Sequence, residues 1–270
     1  MKKIMESSRA PVVFIHGLWV HASSWAPWMT MFEDAGYAPV APGWPGDAES
    51  VDETRATPEN QAGKGFDDVV EHYRQIIEKL DTKPILVGHS FGGTVAEKLL
   101  GMNLARAAVA IDAAQIKGVL PVPIAALRSA FPALKNPANL NKAVSLTAEQ
   151  FRYAFGNALP PEESDELHEL WSIPGPAKPL FEASVMNFAP HSPLKVDTGN
   201  EERGPLLLIM GGQDHTVPEK ITKATLKQYR HSSAVTDVEE FADRGHSLTI
   251  DKGWPDVASL SLQWLKDRGL

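Results

Sequence analysis

The chain contains no cysteine, which excludes disulfides, thiolate metal sites and a cysteine nucleophile. It also lacks a long basic run. Its 34 acidic side chains outnumber 26 basic ones and leave a formal net charge of −8. Such a field repels a phosphate backbone, so nucleic acid is not an expected partner. A membrane-spanning segment is missing as well. The stretch from Pro11 to Phe32 is uncharged, but His16, Gly17, His21 and Pro27 interrupt it, and it reads as a strand, a loop and a helix. Behind Met1, Lys2 and Lys3 stand Glu6, Ser7, Ser8 and Arg9, where a signal peptide would carry its apolar segment. The expectation is an unprocessed cytoplasmic protein without a membrane partner. No histidine pair at helical spacing with a nearby glutamate occurs either, so neither a metal nor a cofactor is expected.

What is present is a 270-residue chain with 43% hydrophobic and 22% charged residues, the composition of a soluble globular protein able to bury a full core. Short apolar runs recur at Val12–Ile15, Ala38–Ala41, Ile85–Val87, Ala107–Ile111 and Leu206–Met210, each of strand length. Between them lie helical patterns. Val69, Tyr73, Ile76, Ile77 and Leu80 share one face of a helix over Phe66–Leu80, and Phe91–Leu100, Glu219–Tyr229 and Pro255–Asp267 also read as helices. A last strand is expected over Val235–Phe241. This alternation predicts an α/β fold, a mostly parallel central sheet with helices on both faces. It fails between Gln115 and Gly204, where eleven prolines punctuate short helical patterns and no strand is convincing. So long a segment is not a bare loop. The expected organisation is a core of residues 1–114 and 205–270, with a helical cap over 115–204 inserted after the strand that ends near Ile111.

Gly88-His89-Ser90-Phe91-Gly92 matches G-x-S-x-G, a weak signal by itself. Its place is more informative, because it joins a strand to a helix. A turn that lifts a serine Oγ above the sheet edge is so tight that residues two places either side must lack bulk. A serine hydroxyl then needs a base, expected on a loop after the last strand. His246, in Arg244-Gly245-His246-Ser247, fits. The imidazole needs a carboxylate to hold one tautomer, in chain order between serine and histidine. Asp214, which follows a strand through Gly211-Gly212-Gln213, is the expected acid for that glycine-rich strand-end loop, and Asp112, directly after the Ala107–Ile111 strand, is its competitor. Backbone donors for an oxyanion are expected at Phe91, after the nucleophile, and at Leu18, after His16-Gly17. Candidate substrate contacts are Trp19, His89, Val185 and Met186, and Trp25, Trp28 and Trp44 lie near the same predicted loop edge.

Together Phe14-Ile15-His16-Gly17, Gly88-His89-Ser90-Phe91-Gly92-Gly93, Gly211-Gly212-Gln213-Asp214-His215-Thr216-Val217-Pro218 and Gly245-His246-Ser247 resemble the α/β-hydrolase superfamily, in particular its small serine esterase and non-haem haloperoxidase-like members. The resemblance spans nearly the whole chain. It implies an α/β-hydrolase fold and ester hydrolysis through a Ser90 acyl-enzyme, with a small-molecule ester as partner. The sequence departs from the family where leading antiparallel strands are expected before Val12, and where Ala41 replaces a frequent loop aspartate. Ser90 argues against dehalogenase and epoxide hydrolase chemistry, which would carry aspartate there. Alternatives left open are perhydrolase or C–C bond hydrolase activity, and a ligand-binding or receptor protein on the same fold.

Overall fold

A computed structural model describes residues 9–120 and 123–270. The chain opens with β1 (Pro11–Ile15), α1 (Ala26–Asp34), β2 (Ala38–Val40), α2 (Val51–Ala56), α3 (Phe66–Ile77), β3 (Ile85–His89), α4 (Phe91–Gly101) and β4 (Ala107–Ile111). An insertion follows, holding α5 (Ile124–Leu134), β5 (Ala143–Val144), α6 (Ala148–Ala154), α7 (Pro161–Trp171), β6 (Gly175–Pro176) and α8 (Lys178–Val185). The core resumes with β7 (Leu206–Gly211), α9 (Glu219–Gln228), β8 (Thr236–Phe241) and α10 (Trp254–Asp267).

Six strands form one parallel sheet in the order β2-β1-β3-β4-β7-β8. Strand residues alternate between its two faces. Val13, Ile15, Leu86, Ala108, Ala110, Leu206 and Leu208 enter the core shared with α3 and α4, while Val12, Phe14, Ile85, Val87, Val109, Leu207 and Ile209 pack with α1 and α10. On that second face Phe14, Trp25, Trp28 and Phe32 form a cluster of tilted and edge-on rings. Trp25 and Trp28 are therefore core residues and not substrate contacts. The strand order reverses between β1 and β3, and parallel sheets open a crevice beyond the carboxyl ends of their strands at such a switch point. His16 to Trp19 and Ser90 stand there.

The insertion is mostly helical, as its proline-punctuated pattern predicts. It also contains a strand pair that the sequence hides: β5 and β6 run antiparallel, with Ala143 opposite Pro176 and Val144 opposite Gly175. Two-residue strands are too short for an alternating pattern to register. They matter because the Trp19 indole N–H donates to Val144 O at 2.8 Å, and Ile173 N donates to Trp19 O at 3.0 Å. The insertion is thus tied to the loop after β1. The expectation about leading strands before Val12 falls largely on residues 1–8, outside the described residues.

Candidate active site

Ser90 sits between β3 and α4 with φ 55° and ψ −124°, a strained backbone for a residue with a side chain, costing on the order of 1–3 kcal/mol. The glycines around it explain why the turn closes. A Cβ on Gly88 would stand 2.2 Å from Gly92 O, and one on Gly92 would stand 2.2 Å from Ile15 O. Two bonds hold the turn: Ser90 N donates to Ile111 O at 2.9 Å, and Ala114 N donates to Ser90 O at 3.1 Å. The strain is fixed by the neighbouring strand.

The loop after β1 lies against this turn, so closely that a Cβ on Gly17 would meet Ser90 Cβ at 2.8 Å. Phe91 is the first residue of α4, so its N–H has no acceptor inside the helix. Leu18 N–H makes no turn or loop bond among the described residues. Both predicted oxyanion donors line the same cavity as Ser90. What fixes the Gly17 loop was not visible in the sequence. His16 is buried and pairs with Asp47 at 3.0 Å, while the Trp44 indole N–H donates to His16 O at 3.0 Å. Burial opposes ionisation of Asp47, yet its bonds with His16, Gln61 and Trp44 N hold its pKa below the ordinary value. Trp44 is a brace for the loop.

His246 and Asp214 are joined directly. The ring Nδ1–H donates to Asp214 Oδ2 at 2.6 Å, with both side chains buried. Asp214 is aimed by its own loop, since Oδ1 accepts from Thr216 N at 2.6 Å and from Val217 N at 2.9 Å. Asp112 plays a different part. It is fully buried with φ 43°, and its Oδ1 accepts from Gly211 N at 2.8 Å. Burial first, and then the neighbouring Asp214 charge, raise its pKa well above the ordinary carboxylate value. A carboxyl whose charged form is disfavoured in this way is a poorer partner for an imidazolium than Asp214, which bonds the ring directly.

His246 Nε2 is buried and has no hydrogen-bond partner, so no bond yet joins it to Ser90 Oγ; such bonds often tighten only when substrate is present. The loop carrying it is pinned from three sides. Ser247 Oγ donates to Asp251 Oδ2 at 2.7 Å, Arg244 pairs with Asp251, and the Trp28 indole N–H donates to Thr249 O at 2.9 Å. His89 lies beneath, its ring 4.6 Å from that of His246. Its Nε2–H donates to His246 O at 2.9 Å. Burial first, and then the nearby His246, lower its pKa well below the ordinary value.

A cavity of about 410 Å³ opens above Ser90, within the range of roughly 300–1,000 Å³ usual for small-molecule sites. Leu18, Trp19 and Phe91 line it from the core, and Leu120, Leu127, Leu134, Phe155, Leu180 and Phe188 from the insertion; no lining side chain carries a charge. Of the predicted substrate contacts only Trp19 lines it. His89 is committed to the His246 carbonyl, Val185 is half exposed at the end of α8, and Met186 is buried in the core. Asn187 and Phe188 take the places expected for Val185 and Met186. The apolar character of that stretch was legible, but the phase of its last turn was not.

His89, Asp112 and His246 bring potential ligand atoms within 4.8 Å of one another. As a metal site the set is poor, because burial and the neighbouring Asp214 disfavour the charged form of Asp112, its one carboxylate. Among the described residues no helix is long and apolar enough to cross a membrane.

Parallel sheet, reversed strand order and a strained serine at the switch point define the α/β-hydrolase architecture. The profile of the Alpha/beta hydrolase family matches residues 12–260, and the chain belongs to that family. No curated protein matches the sequence. Among solved structures, the chain is similar to the methylesterase MES16 from Arabidopsis, with TM-score 0.65, 17% identity, and 95% of this chain and 99% of that one covered. It is similar also to a monoacylglycerol lipase from Paleococcus ferrophilus, with TM-score 0.63, 21% identity and coverage of 96% and 94%. An extracellular α/β-hydrolase from a Paenibacillus species gives TM-score 0.66, 19% identity and coverage of 94% and 98%. At these identities the likeness is one of fold.

Proposed function

We propose that the protein is a serine hydrolase that cleaves esters of small apolar molecules through a Ser90 acyl-enzyme. The observation that carries this reading is the coincidence of three features at the carboxyl ends of the strands: the strained Ser90, the buried Asp214–His246 pair, and an uncharged cavity lined by Ser90. In this reading residues 115–204 act as the cap that closes the substrate pocket.

Ser90 Oγ attacks the ester carbonyl carbon and passes its proton to His246 Nε2. Asp214, held in place by Thr216 N and Val217 N, stabilises the imidazolium through Nδ1–H. The carbonyl oxygen becomes an oxyanion between the N–H groups of Leu18 and Phe91, a contribution of about 2.7–4 kcal/mol for each donor. His246 returns the proton to the departing alcohol. Water then enters, loses a proton to the same nitrogen and releases the acid, regenerating Ser90.

The test is labelling with a fluorophosphonate, read by peptide mapping, together with pre-steady-state release of p-nitrophenol from an activated ester. Modification of Ser90 and a burst of one equivalent are expected. Modification elsewhere would move the nucleophile. Tight ester binding without any burst would make the chain a binding protein on a hydrolase fold.

A further inference from the structure

Helix α5 exposes an unusual face. Ser129, Pro132 and Ala133 turn inward, whereas Ile124, Leu127, Arg128, Phe131 and the following Lys135 face solvent. At 3.6 residues per turn these five fall within one sector of roughly 100°. Ile124 is 83% exposed and Phe131 is 59% exposed. Beside them stand Leu120, 75% exposed, and Phe188, 89% exposed, which with Leu127 form the rim of the cavity. Water-exposed apolar patches of this kind mark an interaction surface.

Its charge identifies the partner. Between Asp112 and Glu149 there is no acidic residue, while Lys117, Arg128, Lys135 and Lys142 occur there, in a chain of net charge −8. Lys117 is turned back onto the carbonyls of Ala189 and Pro190. Arg128, which lies over the Tyr153 ring at 4.1 Å, and Lys135 share the exposed apolar face. A second copy docking about a two-fold axis would set these cations against their own images. An anionic lipid surface satisfies both the apolar side chains and the cations.

We propose that the α5 face docks on a bilayer containing anionic phospholipid, with the cavity rim of Leu120, Leu127 and Phe188 against the layer in which apolar esters dissolve. This revises the expectation of no membrane partner, which rested on the lack of a spanning segment; an amphipathic helix lies on a bilayer and not through it. Docking itself does not require catalysis. Only the delivery of substrate rests on the esterase reading, so binding is measured in Ser90→Ala protein as well as in wild type.

The experiment is flotation with phosphatidylcholine vesicles with and without phosphatidylglycerol. Wild type and Ser90→Ala are expected to float with the anionic vesicles and to be released by salt. Ile124→Ser combined with Phe131→Ser should weaken binding by about tenfold or more, and Arg128→Gln combined with Lys135→Gln should remove the preference for phosphatidylglycerol. Turnover of soluble p-nitrophenyl acetate should stay within about twofold in both double variants, which shows that they fold. The proposal is overturned by absence of binding, by equal binding to neutral vesicles, or by binding that these substitutions leave intact. A concentration-dependent dimer that Ile124→Ser with Phe131→Ser disperses would assign the face to a second copy and overturn it too.

Discussion

Every residue of β3, β4 and β7 is buried, whereas the insertion between β4 and β7 holds eight of the eleven large apolar side chains exposed among the described residues. The same residue types serve opposite ends. In the core they are packed on both faces of the sheet, which holds the ends of β3 and β7 rigid enough to fix Ser90 and Asp214. In the insertion they are left uncovered, and three of them, Leu120, Leu127 and Phe188, stand around the cavity, where an apolar ligand can complete the packing. The difference separates two tasks: core residues should control the rate of the chemical step, and insertion residues should control which molecule reaches it.

The sharpest division lies inside the core, between its two buried acids. Asp214→Asn is expected to lower kcat by about 10⁴-fold, because the amide loses the charge and the fixed tautomer of His246. Asp112→Asn should cost far less, since an amide oxygen still accepts from Gly211 N and burial already disfavours the carboxylate that the substitution removes. Steady-state kinetics of both variants at pH 8 decide the matter. A larger loss for Asp112→Asn would transfer the orienting role to the end of β4.

A second prediction concerns the core alone. Glu97 on α4 is fully buried, and burial raises its pKa to about 7, partly offset by the Tyr229 hydroxyl, which donates to Oε2 at 2.7 Å, and by Arg203. The unfolded chain releases this proton first, so stability from this group is greatest below about pH 4.5 and falls as pH rises through 7. The loss is of the order of 3 kcal/mol. Glu97→Gln should flatten the dependence of thermal stability between pH 5 and 8 without changing its acid limb. An unaltered slope would place the titration elsewhere.

The smallest effect belongs to the insertion. Across p-nitrophenyl esters from acetate upward, kcat/KM should rise by up to about 0.8 kcal/mol per methylene until the cavity is full, then level or fall. A dicarboxylate half-ester should be poor, because no lining side chain pairs with its charge. Leu134→Ala should blunt the rise mainly through KM. A flat series, or preference for the anionic ester, would show that the insertion does not select the substrate.

Legibility in the sequence follows the same division. Parallel strands buried on both faces write themselves as apolar runs, and Gly88 is dictated by a contact with Gly92 within five residues, so sheet and turn could be read directly, although Gly92 answers to the remote Ile15 carbonyl. Asp214 was legible through its glycine-rich loop, which favoured it over Asp112, but its hydrogen bond to His246 is created only by folding. Asp47 was missed because its partner His16 is remote in sequence and no local pattern links them. The apolar positions of α5 were legible too. An amphipathic pattern does not say which apolar residues will be covered: Leu134 faces the cavity, Leu127 stands at its rim, and Ile124 and Phe131 face outward.

An open sheet ends in two strands with unpaired backbone groups, and these are templates for aggregation unless they are blocked. Here β2 is three residues long and carries Pro39, which has no N–H to offer an incoming strand. At the other border β8 reads Thr-Asp-Val-Glu-Glu-Phe, and pairing two copies edge to edge would crowd the acidic side chains of both strands, Glu239 above all, since Asp237 and Glu240 pair with Arg268 and Lys223. Both borders are closed to polymerisation, one by a missing donor and the other by repulsion. A protein that leaves apolar side chains uncovered around its cavity has particular use for such edges: crowding at a hydrophobic surface need not propagate into fibrils through the sheet.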